Sequence, residues 1–191
     1  VSVLGTAFGI DSPVTVIQML WVNIIMDTLG SLAFAGEPAL EEYMTHPPIG
    51  RGEHILTRRM VWQIILTGGY AVALSMFFLL SKNLRHFFGG SETYYMTLFF
   101  AMFIFMGIGI AMCTRTERIN IFANISKNKA FAVIMPAVAA VQLLIIYFGG
   151  DVFRCVPLAP AELLMCSVFA FTVIPADSIR KSVRAIAARS K

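Results

Sequence analysis

Apolar residues run along this chain in five long segments, at about 13–35, 60–80, 94–113, 130–148 and 161–176. A helix needs about 20 predominantly apolar residues to cross a bilayer. The first four segments have that length or come close to it. The fifth, AELLMCSVFAFTVIPA, is short. It must borrow VPLAP upstream, tilt, or thin the bilayer locally, or else form a re-entrant segment. The opening VSVLGTAFGI is apolar but only ten residues long, and predicts the outer end of a helix whose start lies upstream. No basic n-region precedes it, which argues against a cleavable signal peptide. The pattern predicts an all-α, polytopic membrane helix bundle with about five transmembrane helices plus a partial N-terminal one. Composition agrees, since 14% of the 191 residues are charged and 58% are hydrophobic, whereas soluble domains carry about 25% charged residues.

Charge then sets an orientation. The loops at 37–59 and 114–129 and the tail at 177–191 hold twelve of the fifteen Lys and Arg residues, and the alternate loops hold only Lys82, Arg85 and Arg154. The positive-inside rule makes the first set cytoplasmic, with the N-terminus outside and the C-terminus inside. The net charge of +4 is therefore read as topology anchoring, not as a nucleic-acid footprint. Residues 177–191 are read as a basic cytoplasmic tail capping the last span. Ile179, Val183 and Ile186 form a stripe on it that could also rest on anionic lipid. Asn124-Ile125-Ser126 matches a glycosylation sequon, but on the side read as cytoplasmic.

Of the eleven acids, Asp27 alone lies well inside a span. A charged carboxylate at mid-bilayer costs roughly 2.5–3.5 kcal/mol on insertion scales, so it marks a function or a partner. Asn23 precedes it by four residues, about 6 Å along a helix and roughly 40° around it, on one face. Calcium takes about 6–8 oxygen ligands, of which this pair provides a few. The rest would come from another helix or from loosened backbone lining a cavity, which Thr28, Gly30 and Ser31 would permit. The alternative is a packing amide and an acid paired with a neighbouring helix. Gln63, Thr67 and Gln142 read as single packing contacts. Gly68-Gly69 and Gly107-x-Gly109 read as points of close helix approach, and Pro136 as a kink. Cys113, Cys155 and Cys166 have no ligand spacing, and His46, His54 and His86 are unpaired in sequence. No nucleophile–base set or phosphate-binding loop is present, so no catalytic residue is assigned.

DSPVTVIQMLWVNIIMDTLGSLAFAGEPA resembles the sixth transmembrane helix of calcium-transporting P-type ATPases, most closely the plasma-membrane type, IIB. PPIGRGEHILTRRM, RINIFANISKNKAF and FGGDVFRCVPLAPAELLMC resemble the loops before the seventh and ninth helices and the region of the tenth, in family order. The resemblance implies that residues 1–10 end the fifth helix and that the five spans are helices six to ten. Asn23 and Asp27 match the family's two sixth-helix calcium ligands, making the chain part of an ATP-driven exporter of calcium from the cytoplasm across the plasma membrane. Its partners would be lipid and the upstream helices and cytoplasmic domains of the same pump. Mg-ATP would be handled only by those upstream domains, so this segment alone should be inactive and should bind calcium weakly. Met26 stands where two-site pumps have Thr, which favours a single ion. The third span has no amide or carboxylate between Tyr94 and Cys113, so it supplies no strong ligand. Other readings are a pump for Mn²⁺, Na⁺ or H⁺, or a stand-alone five-span scaffold or channel.

Overall fold

The computed structural model describes residues 2–7, 14–38, 57–116 and 118–189. PPIGRGEHILTRRM falls largely outside these residues, as do His46 and His54. Among the described residues the secondary structure is helical, without strands. The helices are α1 (Ser2–Ala7), α2 (Val16–Asn23), a π segment (Ile24–Leu29) and α3 (Gly30–Ala35). They continue with α4 (Arg58–Leu80), α5 (Lys82–Phe88), α6 (Glu92–Arg115), α7 (Lys129–Phe148), α8 (Gly150–Phe153), α9 (Pro160–Phe171) and α10 (Val173–Arg189). Among the described residues, four stretches are each long and apolar enough to cross a membrane: Met60–Leu80, Glu92–Arg115, Lys129–Phe148 and Pro160–Arg184. The all-α membrane bundle is borne out.

Helix starts follow the sequence closely. Thr57, Ser81, Ser91 and Asn128 each cap a helix by accepting a backbone N–H from three residues on, which satisfies donors with no partner inside the helix. Pro160 opens α9 in the first turn, where its missing N–H costs nothing. Pro175 explains why α9 ends and α10 begins two residues before it. It offers no N–H to the carbonyl of Phe171, so the helix tightens at Thr172, whose N–H donates to Phe169 O at 3.2 Å. The short fifth segment therefore gains length from the chain beyond it, as α9 and α10 together supply a 25-residue apolar stretch.

The core is built around α6, 67% of whose apolar stretch is buried in the bundle, against 17–28% for the other three. Leu98, Phe99, Phe100, Ala101 and Met102 are fully buried, so α6 packs on all sides, chiefly against α9 and also α7, α10 and α4. Phe78 of α4 stacks on Tyr95 at 4.9 Å between centroids, and the Tyr95 hydroxyl donates to the Phe78 carbonyl. The outward faces of α4, α7 and α9 expose Trp62, Ile64, Val133, Leu164 and Val168, as expected where lipid replaces water as solvent.

The two glycine pairs differ. A Cβ on Gly109 would lie 2.8 Å from Val173 Cγ1 and 3.4 Å from Phe171, so this glycine seats α6 against the α9–α10 junction. Gly68 and Gly69 have nothing within 4 Å of where a Cβ would sit. They therefore form no close helix contact among the described residues, against the expectation. Gly109→Leu should overpack the junction by about 1–3 kcal/mol, read as a lower melting temperature of the protein in detergent. Gly68→Ala should leave that temperature unchanged or slightly raised.

Candidate ion site

The helix carrying Asn23 and Asp27 begins at a capping box. The Thr15 side chain accepts the Gln18 N–H, and the Gln18 side chain accepts the Thr15 N–H at 2.9 Å. α2 then runs to Asn23, and at Ile24 the ladder changes. Through Leu29 the segment is a π-helix, and the Gly30 N–H reaches back five residues to Ile25 O. Beyond it α3 resumes the ordinary pitch to Ala35. The sequence pointed to loosening just after Asp27, at Thr28, Gly30 and Ser31. The observed loosening is a widened turn centred on Asp27, with the backbone still helical. Such π turns are rare, occur mostly as single bulges within α-helices, and are frequent at functional sites.

Asn23 is the last residue of α2, and its side chain is exposed on the bundle surface. Asp27 has its backbone inside the π segment, and its side chain lies outside the described residues. The two positions therefore share one short stretch of a single helix, on either side of the change in register. Thr28 is exposed and Ile25 is buried against the core. Among the described residues, no group of three or more His, Cys, Asp or Glu side chains could hold a metal.

Both ends of this helix are held by polar contacts that sequence reading missed. At the Thr15 end, Gln18 Nε2 donates to Phe153 O at 2.7 Å, and Trp21 Nε1 donates to Gln142 Oε1 at 3.2 Å. Gln142 is thus a packing contact as expected, and its partner is the helix that carries Asn23 and Asp27. Cys155 sits beside Gln18, buried. Burial pushes its thiol above the ordinary range, opposed by hydrogen bonds from Gln18 and Thr97. At the other end, Glu37 accepts from Arg115 Nη1 at 3.0 Å and from Asn128 Nδ2 at 2.7 Å. Asn128 Nδ2 also donates to Ala33 O at 3.0 Å. By sequence Arg115 is a topology anchor; its side chain is 1% exposed, so it is also a buried structural cation. The available signal was Asn128 one residue before an apolar helix, the usual position of an N-cap.

A cavity of about 750 Å³ lies between α4 and α10, lined by Trp62, Leu66, Tyr70, Val173 and Arg180 among others. No residue of the α2–α3 helix lines it, so it is separate from the Asn23–Asp27 stretch.

Residues 11–183 match the family described as "Cation transporting ATPase, C-terminus". The chain belongs to this family. Members of the cation-transporting ATPase group similar to it include a probable plasma membrane-type calcium-transporting ATPase 6 of Oryza sativa, 38% identical over 162 residues. That alignment covers 83% of this chain and 16% of the relative. Plasma membrane calcium-transporting ATPase 3 of Homo sapiens is 32% identical over 177 residues, covering 87% of this chain and 14% of the relative. A putative plasma membrane-type calcium-transporting ATPase 11 of Arabidopsis thaliana is 35% identical over 159 residues, 82% of this chain and 16% of the relative. The chain thus spans about one-sixth of the length of these relatives, as a C-terminal ATPase segment. The helical bundle places this cation-transporting ATPase segment in the membrane.

Proposed function

We propose that this chain is the membrane part of an ATP-driven calcium pump, in which Asn23 and Asp27 supply calcium ligands from one helix. The observation that carries the reading is the π turn at Asp27, the acid that the sequence places deep in its first apolar segment. Relatives that cover most of the chain and carry calcium-transporting ATPase names support it. An α-helix commits each carbonyl to the amide four residues on. A π turn displaces that pairing by one residue and widens the helix, which frees room and backbone oxygen for a hard cation seeking several oxygens.

In this reading calcium is cargo, and residues of upstream helices complete its shell. Mg-ATP is bound and hydrolysed by upstream domains that this chain lacks. Asp27 binds the ion directly through its carboxylate. The positive-inside rule supports Glu37 and the α6–α7 loop on the cytoplasmic side with Thr15 and Phe153 outside, and the plasma membrane-type names of the relatives support that membrane.

A second reading, a pump for another cation, is favoured by α6. Its described interior has no amide or carboxylate between Tyr94 and Cys113. Measuring which ion stimulates ATP hydrolysis by the full-length pump separates the two. Half-maximal stimulation by micromolar calcium, with none by Na⁺ alone, is expected. Stimulation by Mn²⁺ or Na⁺ in its place would establish the second reading.

A further inference from the structure

The π segment is suspended between two polar attachments. On the Thr15 side, Gln18 and Trp21 hold α2 to Phe153 and Gln142. On the other side, Ala33 O and Glu37 are held by Asn128 and Arg115. Between them, no described side chain from Val22 to Leu32 makes a hydrogen bond or ion pair to another helix. The attachments thus bracket the turn that contains Asp27.

That arrangement has a mechanical consequence. A π turn contains one residue more than an α turn. Returning the segment to α pitch would displace one end of the helix by about 1.5 Å and rotate it by roughly 100°, the rise and twist of one residue. The π register is the rarer one, and holding both ends of the helix opposes its return to α pitch.

The attachment at the Glu37 end is the more strongly built. Both carboxylate oxygens are taken, Oε1 by Arg115 and Oε2 by Asn128. Arg115 is in turn held by the carbonyls of Ile121 and Ala123, at 2.9 and 2.6 Å, and its guanidinium lies 5.3 Å from the Phe131 ring centroid. Asn128 is fully buried and caps α7, accepting the Phe131 N–H at 2.9 Å. Gly36 leaves no slack, because a Cβ there would stand 2.9 Å from both Ala130 Cβ and Asn128 Oδ1. The last turn of α6, the loop after it and the first turn of α7 thus form a socket for the end of the ion helix.

We propose that Glu37, seated in the Arg115–Asn128 socket, is a positioning residue that holds the register of the π segment and thereby sets ion affinity. It touches no ion itself. The inference rests on the reading of Asp27 as a ligand, and the experiment separates the two.

In the full-length pump, ATP hydrolysis is measured against free calcium and against ATP for Glu37→Ala, Glu37→Gln and Asp27→Asn, with melting temperature alongside. Glu37→Ala removes a charge-assisted contact and should raise the half-maximal calcium concentration about tenfold, with half-saturation by ATP unchanged. Glu37→Gln keeps an acceptor for Asn128 without the ion pair and should raise it about threefold. It also serves as the decisive variant if Glu37→Ala does not fold. A lower melting temperature with wild-type calcium dependence in the Gln variant would overturn the positioning role, leaving only a structural one. An equal change in calcium and ATP dependence would also overturn it. If Asp27→Asn keeps normal calcium dependence, the ligand reading fails whatever the Glu37 variants show.

Discussion

Asp27→Asn in the full-length pump should abolish calcium-dependent phosphorylation from ATP. The substitution keeps the size of the side chain and one carbonyl oxygen, so packing in the π segment is little disturbed. What it removes is the negative charge. At about 4 Å and an effective dielectric near 20, each unit-charge pair contributes about 4 kcal/mol. Losing the attraction of a carboxylate for a cation is therefore worth roughly a thousandfold in affinity or more. The phosphorylated intermediate measured over a series of free calcium concentrations reads this directly. Phosphorylation at the wild-type calcium concentration would remove Asp27 from the site. Asn23→Ala takes away a neutral oxygen from the same helix and should cost less, about ten- to a hundredfold.

The second large effect is on stability and comes from the end of the chain. Asp177 and Lys181, one turn apart on α10, are both buried, with side chains 3% exposed and an ion pair of 2.7 Å. Arg180 contacts the other Asp177 oxygen, also at 2.7 Å. Lys181 Nζ donates to Cys113 O of α6 at 2.8 Å, so the cluster ties α10 to the central helix. Removing one member of a buried pair leaves an uncompensated charge, at a cost of about 3–5 kcal/mol. Asp177→Asn should lower the melting temperature of the pump in detergent by many degrees. Combining Asp177→Leu with Arg180→Met and Lys181→Met removes all three charges and should recover most of that loss, because apolar replacements of buried ion pairs and triads are often nearly neutral. An unchanged melting temperature in Asp177→Asn would show that the cluster is hydrated and contributes little.

That cluster shows where sequence reading stops. By sequence, residues 177–191 read as a basic cytoplasmic tail capping the last span, and Ile179, Val183 and Ile186 do form an exposed stripe. Lys181, however, is turned inward. Periodicity places it on the face opposite that stripe, but nothing local says that a carbonyl of α6 awaits it. Arg115 is a similar case. Its position after an apolar run suggests a membrane anchor, and its burial follows from the way the α6–α7 loop folds back around it. Gly109 and Gly68 look alike in sequence. Only the neighbouring helices distinguish them, since α6 has the α9–α10 junction against Gly109 and nothing described approaches Gly68.

The chain's apolar runs, caps and charge bias are enough to specify an all-helical membrane bundle, to isolate Asp27 as the one acid deep within a span, and to put Asn23 a turn away. These are consequences of local chemistry. A residue's own polarity sets the cost of placing it in lipid, and its spacing sets which face it occupies. The π register around Asp27 and the polar attachments at both ends of its helix depend on partners 78 to 135 residues away. No local rule reaches that far. A π turn is a rare departure from α pitch that no local pattern marks, and the contacts at the helix ends join segments that meet only once the bundle has packed.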